Sequence, residues 1–407
     1  MPVSSPFSCP PRLRVAKATG AALFAVLVWV AGPAAAVGAG SSAGGHTAGF
    51  WATEILSGSS LHHTFRPDGT GPPITAALSN PDDISRLGDD LFVGFQNGVG
   101  PQGQANPQGD LDSTVVELAL SGQPVAQWDV VGKTDGVTAD PATGTVIATV
   151  NEDANSSLYT IDPRVASAAA VRHYTYNEAL PHFGGTDAIS VDDGHLFVSA
   201  SAPGTTGSPA PQPTYPAVYA VSLDPTTKVA TVSPVFDDEA MATVANTTDP
   251  EAGHPVALAL TDPDSNEVVP VSGPRFPGDF MVTSQGDLEQ VYVGDARGTQ
   301  PRIWVLSLSQ PVDDTAWPTD TVGRLYSTDS TDDAVDVITG PFRSAAPMVV
   351  ATPCGANSAP ATCPGPGYPA NSLGTLNPWT GQVRAVTVGG ATYVPQGGLA
   401  FVAGGAG

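Results

Sequence analysis

The feature that most constrains this chain is a short motif that recurs about every 50 residues. It reads Pro81-Asp82-Asp83-Ile84-Ser85, then Thr134-Asp135-Gly136-Val137-Thr138, then Thr186-Asp187-Ala188-Ile189-Ser190, with a later copy at Asp332-Asp333-Ala334-Val335-Asp336. Each copy carries an Asp, one variable residue and a β-branched residue. A second apolar run follows each: Leu91–Phe95, Thr145–Thr149, Leu196–Ala200 and Met348–Thr352. The connections are turn sequences such as Asp140-Pro-Ala-Thr-Gly144 and Asp192-Asp-Gly194. An Asp-Gly between two β-rich runs is a strong hairpin signal.

Two further β-rich segments complete each unit. They are Thr114–Leu120 and Val125–Val131 in the first, Ser157–Ile161 and Ala170–Tyr176 in the second, and Ala217–Leu223 and Ala230–Pro234 in the third. Four antiparallel strands repeated at this period describe a propeller blade, so the expected fold is an all-β propeller. A fourth unit is read from Pro255–Leu260, Asp279–Ser284, Arg302–Leu308 and Val322–Tyr326. A fifth starts near Asp333 and ends with Leu373–Leu376 and Val383–Val388.

Fragments remain at both ends. Gly397–Val402 reads as an inner strand without outer partners, and Phe50–Leu56 with Leu61–Phe65 as outer strands without an inner one. Joined, they would close the ring as a sixth blade and remove two exposed sheet edges. The expectation is therefore six four-stranded blades closed by pairing N- and C-terminal strands, with seven as the alternative.

The N-terminus carries a different signal. Arg12, Arg14 and Lys17 precede the apolar run Ala21–Val30, which ends at Gly32-Pro33 and Ala34-Ala35-Ala36. That order predicts a signal peptide over residues 1–36, a flexible linker over 37–47 and one propeller domain over 48–407. The apolar run is shorter than the roughly 18 to 20 residues a membrane span needs. A secreted protein without membrane insertion after cleavage is thus expected. Cys354 and Cys363, the two cysteines beyond the leader, lie in one Pro- and Gly-rich loop and predict a disulfide in an exported chain. All 39 Asp and Glu lie beyond residue 36, against 15 Lys and Arg in the whole chain. So acidic a protein is repelled by phosphate, which excludes nucleic acid as a partner and leaves a small molecule or an extracellular partner.

In a propeller, the first strand of each blade lines the central channel. The motif thus gathers Asp82, Asp135, Asp187 and Asp333 at one mouth, with Pro255 and Gly397 at the remaining positions. The second strands end there with Gln96-Asn97, Asn151-Glu152, Ser201 and Ser284-Gln285. Carboxylates backed by amide and hydroxyl oxygens suit a hard cation such as Ca²⁺. The same Asp residues equally suit a structural role, accepting backbone N–H groups where a strand begins. His182 and His254 precede the third and fourth first strands, and with Glu152 they are the candidates for acid–base work. Asp262-Pro-Asp-Ser-Asn266 resembles the start of a calcium loop, but it lacks the glycine and the closing glutamate and reads as a turn.

The Asp-x-Ile/Val start followed by Leu-Phe-Val resembles the NHL-like and senescence-marker (gluconolactonase-like) six-bladed propellers, over about Asp82 to Thr352. In the lactonase branch a central Ca²⁺ is held by a Glu from an early strand and by Asn and Asp from inner strands. The resemblance implies that Asn97, Asn151 and one of the ring Asp residues match those ligands. The only candidate for the early Glu, Glu54, lacks the family's Gly-Glu-Gly-Pro surroundings. Three functions follow: a binding propeller acting at its channel mouth, a Ca²⁺-dependent lactonase or hydrolase of a small ester or lactone, and a His-dependent lyase.

Overall fold

Each second strand places alternate side chains on opposite faces, and both faces are buried. Leu91 and Val93 point one way and Phe92 the other, and none is more than 1% exposed. A sheet apolar on both faces must be covered on both, which stacked radial sheets achieve. The computed structural model describes residues 49–165, 168–181, 185–203, 214–351 and 372–404. The expected signal peptide and linker, His182, Cys354 and Cys363 lie outside them.

Strand pairing among the described residues arranges the chain as units of a β-propeller, lettered A to F, B and C sharing one eight-stranded sheet and D lying in a six-stranded one. From the channel outward, unit A is Pro81–Leu87, Asp90–Phe95, Asp112–Ala119 and Pro124–Val131. Unit B is Thr134–Asp140, Thr145–Val150, Ser157–Ile161 and Val171–Tyr176. Unit C is Thr186–Asp192, His195–Ala200, Pro216–Asp224 and Val229–Asp237. The outer strands of B and C also pair in parallel, at Thr175↔Val229.

Units D to F depart from the reading of the sequence. The inner strand of D is Pro263–Val268, the segment read as a turn, followed by Phe280–Ser284, Glu289–Gly294 and Arg302–Ser307. Pro255–Ala257, expected at the mouth, pairs instead with Met241–Val244 on the outer edge of D. Unit E starts at Val312–Ala316 and continues with Met348–Ala351, Ser372–Leu376 and Val383–Ala385. Between its first two strands the chain crosses into unit F, whose order is Leu399–Ala403, Gly323–Asp329, Ala334–Thr339 and Trp51–Ser57. The two terminal strands thus share unit F without touching, held apart by an inserted hairpin. Leu61–Phe65 was expected in the closing blade; His62–Phe65 instead forms a separate hairpin with Ile74–Ala77.

The core follows from this stacking. Six buried apolar clusters lie one between each neighbouring pair of units: A–B, B–C, C–D, D–E, E–F and F–A. The last joins Leu56, Tyr326 and Val402 of F to Leu91, Val93 and Phe95 of A. Burying one such side chain stabilises the ring by about 1.5–3 kcal/mol, so closure rests on the same packing as every other interface.

Candidate cation site at the channel mouth

The inner strands of units A to E share one irregularity. Pairing with the second strand slips between Pro81 and Ile84, Thr134 and Val137, Thr186 and Ile189, Pro263 and Asn266, and Val312 and Thr315. Each slip is a β-bulge, which bends the strand and re-aims its side chains. The first residue in every bulge is an Asp: Asp82, Asp135, Asp187, Asp264 and Asp313. Hydroxyls of neighbouring units fix the bulge backbone. Thr149 Oγ1 donates to the Asp187 carbonyl at 2.7 Å, Ser199 Oγ to that of Asp264 at 2.8 Å, and Thr328 Oγ1 to that of Asp82. Unit F has glycine at the sixth position. A Cβ at Gly397 (φ +145°) would meet the Asp82 carbonyl at 2.7 Å and Thr328 Oγ1 at 2.4 Å.

These five carboxylates open into a cavity of about 440 Å³, which Glu152, Asp153 and Asp262 also line. Lys133 is the one cationic side chain lining it among the described residues. Its ammonium contacts Glu152 and lies 3.8 Å from Asp135 Oδ1. Asp135 in turn crowds Glu152 and Asp187, and its carboxylate is among the causes that raise both. Opposite, Gln96 Nε2 donates to Asp82 at 2.8 Å and Gln285 Nε2 to Asp313 at 3.0 Å.

So many acids cannot all ionise together in a sheltered mouth. Burial, offset by Lys133 and reinforced by Asp313 and Glu152, pushes Asp82 up to about 7. Asp187 and Asp264 are raised well above the usual carboxylate range by burial and then by neighbouring carboxylates. Burial, then Asp135, raises Glu152 against the opposing pull of Lys133. Oxygens of Asp135, Glu152 and Asp187 lie within 4.8 Å of one another. Oxygens across a Ca²⁺ ion are about 4.6–5.2 Å apart, given Ca–O distances of 2.3–2.6 Å. This triad could therefore hold one metal ion.

The structure brings Asp82, Asp135, Asp187 and Glu152 together and adds Asp264 and Asp313. Asn97 and Asn151 end their strands in the left-handed region (φ 53° and 69°), and their side chains serve the backbone. Asn97 Oδ1 accepts from Ser79 N–H, and its amide donates to the Asp112 carbonyl and Thr114 Oγ1. Asn151 Oδ1 accepts from Lys133 N–H at 3.0 Å. Asp333 sits in the hairpin turn of unit F (φ 53°), where its carboxylate accepts Asn80 N–H at 2.6 Å and does not line the cavity. Glu54 is exposed on the outermost strand of F. His254 is exposed in the turn between the two edge strands of D. The lactonase ligand pattern is therefore not reproduced residue for residue.

No protein-family model matches this chain, and no curated protein matches it. Among solved structures its fold is similar to a putative gluconolactonase (TM-score 0.40, 10% identity, covering 84% of this chain and 82% of that one). It is similar also to Pseudomonas aeruginosa periplasmic gluconolactonase, PpgL (0.40, 14%, 88% and 99%). A third is a protein of unknown function from Bacteroides thetaiotaomicron (0.44, 10%, 87% and 71%). At these identities the likeness concerns fold alone.

Proposed function

We propose that this protein is an exported binding propeller whose mouth takes a divalent cation, Ca²⁺ by donor type, and with it an oxygen-bearing small molecule. The observation that carries this reading is the Asp135–Glu152–Asp187 triad, three carboxylates converging within the span of one ion beside a single lysine. An all-oxygen donor set selects Ca²⁺ over zinc or copper. Bound there, the cation would polarise a ligand oxygen. The chain's own residues do the rest. Lys133 fixes Glu152, Gln96 and Gln285 orient Asp82 and Asp313, and Ser201 with Gln396 supplies polar wall to the cavity. Export, read from the N-terminal sequence, would place the site where modules of 10⁻⁴–10⁻³ M affinity work as Ca²⁺ sites.

A second reading, hydrolysis of a small ester or lactone, draws on one feature. Glu152 is held up the scale beside Lys133, a setting for a group that moves a proton near neutral pH. The lyase reading draws nothing from the described residues, since His254 is at an outer edge. Calorimetric titration of EDTA-treated protein with CaCl₂ tests the main reading. Asp135→Asn/Asp187→Asn should abolish one binding event or weaken it at least tenfold. A double variant that titrates like the parent protein would remove the basis for the mouth site.

A further inference from the structure

Adjoining the mouth cavity is a second chamber of about 350 Å³. Asp83, Asn266 and Asp314 line both cavities and so form the neck between them. They come from three units, and the bulges put them there: Asp83 and Asp314 are the second bulge residues of A and E. Each carboxylate ties its unit to the next. Asp83 accepts Ile84 N–H at 2.7 Å and, from unit B, Val137 N–H at 2.6 Å. Asp314 accepts Leu399 N–H of unit F at 2.5 Å. A carboxylate oxygen that accepts one backbone N–H keeps a second acceptor site. Glu267 lines the second chamber with the Trp317 indole beside it.

Independent of those charges, the chamber is short of hydrogen-bond partners. Ser190 Oγ and Asn266 Oδ1 have none. Ser190 and Asn266 are only 6% and 9% exposed. The Asn266 amide nitrogen is in place, donating to the Ala188 carbonyl at 2.7 Å, which leaves its oxygen free to face the neck. Leaving a buried polar atom unpaired costs about 1–3 kcal/mol, so a chamber with two such oxygens is built for something that binds oxygen. Arg86, the chamber's one cationic side chain among the described residues, is spent on the Gly88 carbonyl and Asp89.

We propose that the neck is a second site for a hard divalent cation, held by Asp83, Asp314 and Asn266 Oδ1, with the Glu267 carboxylate below supplying negative charge rather than a ligand atom. Carboxylates mixed with an amide oxygen are the donors that Ca²⁺ takes. An ion there would neutralise buried charge and cross-link units A, D and E through the axis. The inference does not rest on the mouth reading, because no residue of the triad takes part.

Terbium, a luminescent stand-in for Ca²⁺, tests it, since Trp317 is the one tryptophan lining either cavity among the described residues. Excitation of the indole should give sensitised Tb³⁺ emission that Ca²⁺ competes away. Trp317→Phe should cut that emission at least fivefold with calorimetric stoichiometry kept. Glu267→Gln should weaken the emission titration at least tenfold, and Asp135→Asn/Asp187→Asn should leave it intact. Neither Trp317→Phe nor Glu267→Gln removes a backbone partner, so both remain informative if Asp314→Asn fails to fold. Emission that is absent, indifferent to Trp317→Phe, or lost in the triad variant and kept in Glu267→Gln would overturn the proposal.

Discussion

Removing divalent cations should make this protein less stable as pH rises from 5 to 7, and the direction follows from Asp82. Its carboxyl titrates at about 7 in the fold against 3.8 for the free side chain. Between those values the folded state holds a proton that the unfolded chain has released. The stabilisation is therefore complete below about pH 4 and is lost as pH climbs through 7. One such proton gives a slope of about 1.4 kcal/mol per pH unit, or roughly 2–3 kcal/mol from pH 5 to 7. For a domain of this size that lowers the melting temperature by about 3 °C. Asp313 and Asp314, raised by burial and, for Asp313, by neighbouring carboxylates, push the same way. Ca²⁺ needs the ionised carboxylates, so it should oppose the loss and protect more at pH 7.5 than at 5. At 100 times its Kd it would add about 2.7 kcal/mol. The assay is a melting series in EDTA and in Ca²⁺ across that range. A melting temperature that is flat or rising with pH in EDTA would refute the reasoning.

Asn151→Ala should cost about 1–3 kcal/mol in urea unfolding, since it strands the Lys133 N–H; Ca²⁺ stoichiometry should stay unchanged, and a lost binding event would make Asn151 a ligand. His63 is buried with Nε2 3.1 Å from Asp110 and Nδ1 3.5 Å from Asp129. Burial alone would lower its pKa, but the two carboxylates outweigh that and lift it to about 9. His63→Ala should therefore destabilise by roughly 3–5 kcal/mol at pH 7. In the parent protein this contribution is complete below the free-histidine value and fades as pH rises through 9, which urea unfolding at pH 7 and 10 would register. Gly136→Ala should destabilise the B–C interface of the ring, because the new Cβ would sit 2.7 Å from backbone atoms of Ala188 and Ile189. A calorimetric melting temperature unchanged by that substitution would contradict the close approach.

Units A to C were legible because their apolar runs and Asp-Gly turns follow one another in pairing order. Unit D's inner strand was not. Pro263-Asp-Ser-Asn266 has the composition of a turn, and it forms a strand because its bulge faces a polar channel rather than a core. Strand preference there is decided by surroundings, not by the residues alone. The fourth copy of the motif misled for a related reason. Asp333 takes a left-handed turn conformation before β-branched residues, which gives the letters of an inner strand on a hairpin of unit F. Nor does local pattern reveal that the chain leaves unit E for F and returns. At the site, Asp82, Asp135, Asp187 and Glu152 were readable from repeat position. Asp264 and Asp313 were hidden with their strands, and the backbone roles of Asn97 and Asn151 appear only in three dimensions.

The most direct test of the cation-binding mouth is anomalous diffraction from crystals grown from EDTA-treated protein and soaked in Tb³⁺ or Ca²⁺. A peak coordinated by Asp135, Glu152 and Asp187, with the Lys133 ammonium beside it on Glu152, is the expected result. Density that stays featureless among those three carboxylates at saturating cation would contradict the account.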